Sequence, residues 1–347
     1  MRAAAHLLLA VIVVAGCLEA PPAGGGPPAT DANQTPRAWT DRTGAAIAPA
    51  LFGPRLAYDS TNGVVLSYGG SLGVDNAQAT SSFMAWDGDE WTMLCDDCAP
   101  GPRLFHGFAF DSARGRAVLY GGIDDLGAVN GDLWEWDGTD WLSLPVPRVS
   151  GPGPRSRFWM AYDPGRGRMV LFGGDTDGGT TLSSELFEYD GETWYALGQG
   201  GGPGARNDDV APAAYDPIGQ RVLIYGSKEQ ADDLWGWDGV SWTHLCDPCT
   251  GVPRASAMLG VDPARERIVI VGGYDPQIVI TGTWELYPDG DLACASAEPS
   301  QRDTSGMTRD PSRDVMVLFG GNGFGCAGNC SETLELVYGE GGDCNPP

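Results

Sequence analysis

The sequence predicts an all-β fold: six four-stranded antiparallel sheets arranged as the blades of a closed propeller. Three observations lead there. A pattern recurs six times with a period near fifty residues, in YDSTNGVVLSYGG, FDSARGRAVLYGG, YDPGRGRMVLFGG, YDPIGQRVLIYGS, VDPARERIVIVGG and RDPSRDVMVLFGG. In every copy a glycine follows the aspartate (Asp59, Asp111, Asp163, Asp216, Asp262, Asp310) by ten residues. The 347 residues include 52 Gly, 26 Pro and 12 Trp with few 3.6-period runs, which favours short strands and turns over helices.

Each element of the unit has a local cause. A first strand, a, leads into the aspartate. The turn after it feeds strand b, an apolar run such as AVLY, which ends at the glycines. These are Gly69-Gly70, Gly121-Gly122, Gly173-Gly174, Gly226 followed by serine, Gly272-Gly273 and Gly320-Gly321. Glycine there permits positive φ or close backbone approach. A variable loop leads to strand c, and an Asp-Gly turn, a strong hairpin signal, leads to strand d with its tryptophan. The turns read WDGDEW, WDGTDW, YDGETW and WDGVSW; the fifth departs as PDGDLA and the sixth is eroded to VYGEGG. Trp91, Trp141, Trp194 and Trp242 thus hold one repeated position, which favours packing between adjacent sheets over a sugar-stacking array.

The sixth repeat lacks a strand-d tryptophan, and an open ring would leave strand edges unpaired. Trp39 lies 20 residues before Asp59, the separation of Trp91 from Asp111 and of Trp242 from Asp262. Residues near 38–43 are therefore expected to complete the last blade.

These marks, the Gly-Gly ending strand b and the aromatic-Asp-Gly turn followed by tryptophan, resemble the Kelch-repeat family over about residues 38–347. Repeats one to four carry them well; repeats five and six carry mainly the aspartate and the glycines. The resemblance implies a six-bladed propeller with its variable loops on one face, and family members often bind partners there.

The first seventeen residues, MRAAAHLLLAVIVVAGC, read as a lipoprotein signal: Arg2, an apolar run too short to span a bilayer, and a lipobox ending at Cys17. Cys17 is the expected site of lipidation and the expected membrane anchor. Leu18 rather than aspartate follows it, which points to an outer membrane in the cell envelope. Residues 18–37 are rich in Pro, Gly and Ala and read as a disordered tether.

Eight further cysteines remain, an even number in an exported chain. Cys95/Cys98 and Cys246/Cys249 each begin four residues after a strand-d tryptophan, in blades one and four. Lying across the ring diameter, the two pairs cannot share one zinc. They are expected as local disulfides, with metal or redox roles as alternatives. Cys326 and Cys330 are expected to pair within one loop, which leaves Cys294 and Cys344 to pair with each other.

A formal net charge of −25 argues against nucleic-acid binding. A monomer is expected. The loops 71–82, 123–132, 175–185, 227–233, 274–282 and 322–331 carry Asp75, Asp124, Asp125, Asp132, Asp175, Asp177, Asp232, Asp233 and Asp275. Asp175-Thr-Asp177-Gly-Gly hints at calcium, although Leu186 stands where a calcium loop needs glutamate, and a solvated acidic rim is the plainer reading. No other cofactor is expected.

Arg103, Arg155, Arg206, Arg254 and Arg302 share one position at the start of strand a, where the first repeat has Leu51. Structurally, each could pair with an aspartate or carbonyl of the neighbouring blade; functionally, five guanidinium groups around a channel mouth would suit a carboxylate ligand.

No catalytic constellation stands out beyond repeated positions. Only His106 and His244 follow the signal, and nothing matches a copper site of the galactose oxidase type. The expected function is binding or scaffolding for a protein or glycan partner. The alternative, which the family resemblance implies, is a sugar-modifying enzyme of the sialic acid mutarotase type. A blade-specific pair of buried carboxylates in the channel would favour that alternative.

Overall fold

The computed structural model describes residues 37–43, 48–73, 78–147, 151–198, 201–228, 232–275, 280–296, 299, 302–323 and 330–338. The lipobox with Cys17, residues 18–36 of the tether, Asp75, Cys326, Cys344 and parts of four variable loops lie outside the described residues, while Arg37, read as the end of the tether, belongs to the first strand.

Strand β1 (Arg37–Asp41) opens the chain. Blade one is β2 (Arg55–Asp59), β3 (Val64–Tyr68), β4 (Phe83–Trp86) and β5 (Trp91–Cys95). Blade two is β6 (Gly107–Asp111), β7 (Arg116–Ile123), β8 (Val129–Trp136) and β9 (Trp141–Leu144). Blade three is β10 (Trp159–Asp163), β11 (Arg168–Phe172), β12 (Leu186–Tyr189) and β13 (Trp194–Gly198). Blade four is β14 (Ala213–Asp216), β15 (Arg221–Tyr225), β16 (Leu234–Trp237) and β17 (Trp242–Cys246). Blade five is β18 (Met258–Asp262), β19 (Arg267–Val271), β20 (Thr283–Leu286) and β21 (Leu292–Ser296), the last containing Cys294. A two-residue strand, β22 (Arg302–Asp303), precedes blade six, which has β23 (Gly306–Asp310), β24 (Val315–Phe319) and β26 (Thr333–Tyr338); β25 (Asn322–Gly323) pairs with β22.

The sixth sheet has the order β1-β26-β24-β23, so the N-terminal strand closes the ring. Trp39 pairs with Leu336 across that sheet, and its indole N–H donates to Thr283 Oγ1 of blade five at 2.8 Å. Trp91 repeats the contact one seam on, donating to Thr333 Oγ1 of blade six at 2.7 Å. The innermost strands β2, β6, β10, β14, β18 and β23 contact one another in a closed circle.

Strand b is apolar on both faces because each blade is packed from both sides. In β3, Val65 belongs to the cluster shared with blade six and Leu66 to the cluster shared with blade two. Six such clusters fill the six seams. Trp194 stacks on Tyr189 with ring centroids 5.1 Å apart, and Trp242 meets Phe172 edge-on at 5.1 Å. The repeated tryptophans are packing residues.

Gly121 and Gly122 show why strand b must end in glycine. Both have positive φ, 61° and 93°. The Gly122 N–H donates to the Arg155 carbonyl of the link to the next blade at 2.9 Å. A Cβ on Gly121 would lie 2.6 Å from that same carbonyl oxygen. The contact recurs from Gly70 to Arg103, Gly174 to Arg206, Gly273 to Arg302 and Gly321 to Leu51, so Leu51 holds the arginine position in blade one.

The five arginines follow the structural reading, pairing with carboxylates and carbonyls, and differ from the expected placement at the start of strand a and from a ring of groups open to a ligand. Four lie four residues ahead of their innermost strand or its equivalent and Arg206 lies seven ahead, so all sit in the link rather than at the strand start. All are buried, with relative exposures of 1–8%. Arg103 holds Asp132 with both oxygens, at 2.7 and 2.6 Å; Arg155 reaches Glu185 at 3.1 Å and Arg206 reaches Asp233 at 2.9 Å. Arg254 bonds Thr250 Oγ1 at 2.7 Å and lies 3.6 Å from the Trp284 ring centroid, while Arg302 contacts Glu332 and Cys330 Sγ. Four also cap the carbonyl of the first glycine in their own blade. That carbonyl has left the strand ladder, and a planar multi-donor group is the side chain that satisfies it together with a carboxylate.

Cys95–Cys98 and Cys246–Cys249 are disulfides. Cys330 is disulfide-bonded as well.

Candidate functional site at the channel mouth

The ends carrying the glycine pairs converge on one mouth of the channel. Two residues beyond the arginine position, the links form a collar of backbone hydrogen bonds. Gly53 N–H donates to Thr304 O at 2.8 Å, Thr304 to Ser256 O at 3.2 Å, Arg157 to Phe105 O at 2.9 Å and Asp208 to Arg157 O at 3.1 Å. Phe105, Arg157, Ser256 and Thr304 hold left-handed φ of 53–57°, an unusual conformation for residues with side chains.

Blade four breaks the pattern. Ten positions separate Arg206 from Asp216, against eight from Arg103 to Asp111, Arg155 to Asp163, Arg254 to Asp262 and Arg302 to Asp310. The lengthened link places Asp208 and Asp209 in the mouth. Asp208 is 1% exposed and accepts N–H groups from Val210 at 2.8 Å, Ala211 at 3.0 Å and Ser256 at 2.9 Å. The Ser256 bond puts a carboxylate where the collar elsewhere uses a carbonyl. Burial raises the Asp208 carboxyl despite those three donors, and Asp209 adds to the rise.

Asp209 gathers cations from three blades. Its Oδ1 accepts from Arg157 Nε at 2.7 Å and lies 2.9 Å from Lys228 Nζ, and its carbonyl accepts from Arg55 Nη2 at 2.8 Å. Lys228 is the chain's one lysine. Arg157 also reaches Asp175 at 3.3 Å and covers the Phe105 ring at 4.1 Å. Asn207 donates to Asp175 Oδ2 at 3.3 Å, and its Oδ1 is buried without a hydrogen-bond partner. Arg55 is lowered to about 10, chiefly by burial. Below it lies a cavity of about 70 Å³ walled by Phe108, Phe158, Met160, Met258 and Met307.

The acidic loops are less solvated than the sequence suggests. Asp132 and Asp233 pair with the buried arginines, Asp175 is buried, and Asp232 accepts from Tyr225 and Thr250 hydroxyls at 2.8 Å each. Asp177 binds the backbone and hydroxyls of Thr180 and Thr181. Among the described residues no group of three or more His, Cys, Asp or Glu is placed to hold a metal ion. His106 is buried in the seam between blades one and two, its ring 5.6 Å from that of Tyr68, and burial lowers it far below the usual range. His244 stacks on Trp235 at 4.4 Å.

Asp303 joins the cluster from blade six. Its carboxyl is pushed up to about 6, mainly by burial and further by Asp209, while the Thr304 hydroxyl opposes the rise. Because this pKa is higher folded than unfolded, the native state holds a proton that the unfolded chain has lost between roughly pH 4 and 6. The resulting stability is present below about pH 4 and is lost as pH rises through 6. Asp303→Asn is therefore expected to match the wild type at pH 4 and exceed it by about 2–3 kcal/mol at pH 8. Urea unfolding at both values checks this; an equal difference at both would contradict it.

No family model matches the chain. A search of curated proteins finds 30% identity over 129 residues with Dynein regulatory complex subunit 7 of Chlamydomonas reinhardtii, covering 33% of this chain. The match spans a tenth of that protein's length.

The named arginines do not meet at the mouth. The residues that do, Arg157, Asp208, Asp209, Lys228 and Asp303, were not singled out from the sequence. The spacing change in the fourth repeat is the signal that marks Asp208 and Asp209.

Proposed function

We propose that this chain is a lipid-anchored, extracytoplasmic propeller of the Kelch type that binds or scaffolds a protein or glycan partner through the channel-mouth face. One observation carries the reading. In a ring whose glycine, arginine and tryptophan contacts recur from blade to blade, the link into blade four is two residues longer and carries Asp208 and Asp209 at the mouth, and Arg157 and the one lysine converge on Asp209. Departures from a repeat are where a scaffold carries specificity. The lipobox at Cys17 and the two C-x-x-C disulfides support an oxidising, membrane-anchored setting. The partial likeness to a subunit of a regulatory complex agrees with a role in assembly.

A second reading has a specific observation behind it. Asp303 is a buried carboxyl of blade six that burial pushes up to about 6, with Asp209 of blade four adding to the rise, which suits a general acid-base on a sugar.

A thermal-shift panel tests both. It comprises sialic and uronic acids, neutral glycans, calcium, and acidic and basic peptides, applied to the chain from residue 18 made in an oxidising compartment. A ligand at 100 times its Kd stabilises by about 2.7 kcal/mol. The shift is expected to vanish in Lys228→Ala and Asp209→Asn and to persist in Asp289→Asn. A shift equal in all variants would remove the mouth from the account. Turnover of a shifting sugar, lost in Asp303→Asn, would favour the enzyme.

A further inference from the structure

The six seams are not held alike. At the end of blades two, three and six away from the mouth, an arginine three residues after the repeat aspartate bridges that aspartate to a glutamate on the third strand, and the glutamate reaches an aromatic of the next blade. Arg114 binds Asp111 at 2.6 Å and Glu135 at 2.7 Å, and Tyr189 of blade three donates to Glu135 at 3.3 Å. Arg166 binds Asp163 at 2.7 Å and Glu188 at 2.5 Å, and Trp237 of blade four donates to Glu188 at 2.9 Å. Arg313 binds Asp310 at 2.7 Å and also Glu335, which accepts from Trp86 of blade one at 3.1 Å. The seam between blades five and six uses Arg265 on Asp314 at 2.6 Å instead.

Among the described residues, two seams lack the clamp. The glutamate position, opposite Leu66 and Leu223 in the sheets, is Ala85 in blade one and Gly236 in blade four. The arginine position is Asn62 and Gly219. Seam one–two keeps an Arg55 bond to the His106 carbonyl near the mouth, and seam four–five keeps an Arg221 contact to the Pro288 carbonyl. These are also the seams that receive the disulfides. Cys98 is buried among Leu66, Tyr68 and Phe108, and Cys249 among Leu223, Tyr225 and Leu259. The two seams are three blades apart and so face each other across the ring.

We propose that the ring consists of two clamped halves, blades two to four and blades five, six and one, joined at two seams that depend on C-x-x-C disulfides, and that a dithiol opens those seams selectively. A thiolate of the dithiol attacks the more exposed sulfur, Cys95 or Cys246. The second thiol then resolves the mixed disulfide. Two protons and two electrons pass to the protein, which gains two thiols per bridge, and the dithiol is oxidised to its own disulfide.

Hydrogen exchange on the full chain with and without dithiothreitol tests this. Reduction is expected to speed exchange at least tenfold in residues 107–111 and 258–262, with residues 168–172 unchanged. Cys95→Ser with Cys98→Ser should reproduce the rise at 107–111 alone, without reductant. Cys326→Ser with Cys330→Ser should leave both segments protected. Asn62→Arg with Ala85→Glu, which supplies the missing clamp, should blunt the reductive rise at 107–111 and not at 258–262. A uniform rise, no rise, or failure of the supplied clamp in a folded variant would overturn the proposal.

Discussion

Deleting Arg37–Asp41 is expected to abolish cooperative folding of the whole ring. The deletion strips the fourth strand from blade six and leaves β26 as an open edge beside half-covered apolar seams. It also removes Trp39, whose indole bonds Thr283 and packs with Leu334 and Leu336. Truncating one such aromatic costs about 3–5 kcal/mol, and a whole strand costs more. Against a typical stability of about 5–15 kcal/mol the remainder is small. Circular dichroism with a urea titration reads the outcome: a broad transition or aggregation is expected. A cooperative transition at the wild-type midpoint would show that the ring closes without this strand.

Glu335→Ala is expected to destabilise by about 3–5 kcal/mol, the cost of breaking a buried ion pair from one side. The carboxylate is 2% exposed and ties Arg313, Arg42 and Trp86, so it joins three parts of the chain far apart in sequence. Its loss leaves the Arg313 guanidinium half-paired and the Trp86 N–H without an acceptor inside the core. Glu192→Ala, on an exposed turn, is the control and should change stability by less than about 0.5 kcal/mol. Equal effects in chemical denaturation would show that the seam clamp contributes nothing.

The blade count, the strand order and the closing strand were legible because they rest on repetition. Fixed Asp-to-Gly spacing, an Asp-Gly turn and a tryptophan at constant offset report local geometry, and six copies of local geometry specify a ring. Charged residues were read less well. Arg103 and Asp132 are 29 residues apart, and nothing local says that they form a buried bidentate pair. Exposure is set by the neighbouring blade, which a repeat pattern does not display. The mouth cluster was missed for the opposite reason. Alignment on conserved marks hides a two-residue lengthening, so Arg206 looked equivalent to its counterparts while Asp208 and Asp209 passed as part of the link. A functional position on a repeat scaffold shows itself as a failure of the repeat.

Excising Asp208 and Asp209, which restores the eight-residue spacing of the other blades, tests the assignment of the mouth most directly. If those residues serve recognition, they cost stability, since Asp208 is a buried carboxylate and the collar elsewhere closes with backbone alone. The thermal midpoint of the shortened protein should equal or exceed that of the wild type. A fall of several degrees would contradict the account and make the insertion a plug that the ring needs in order to close.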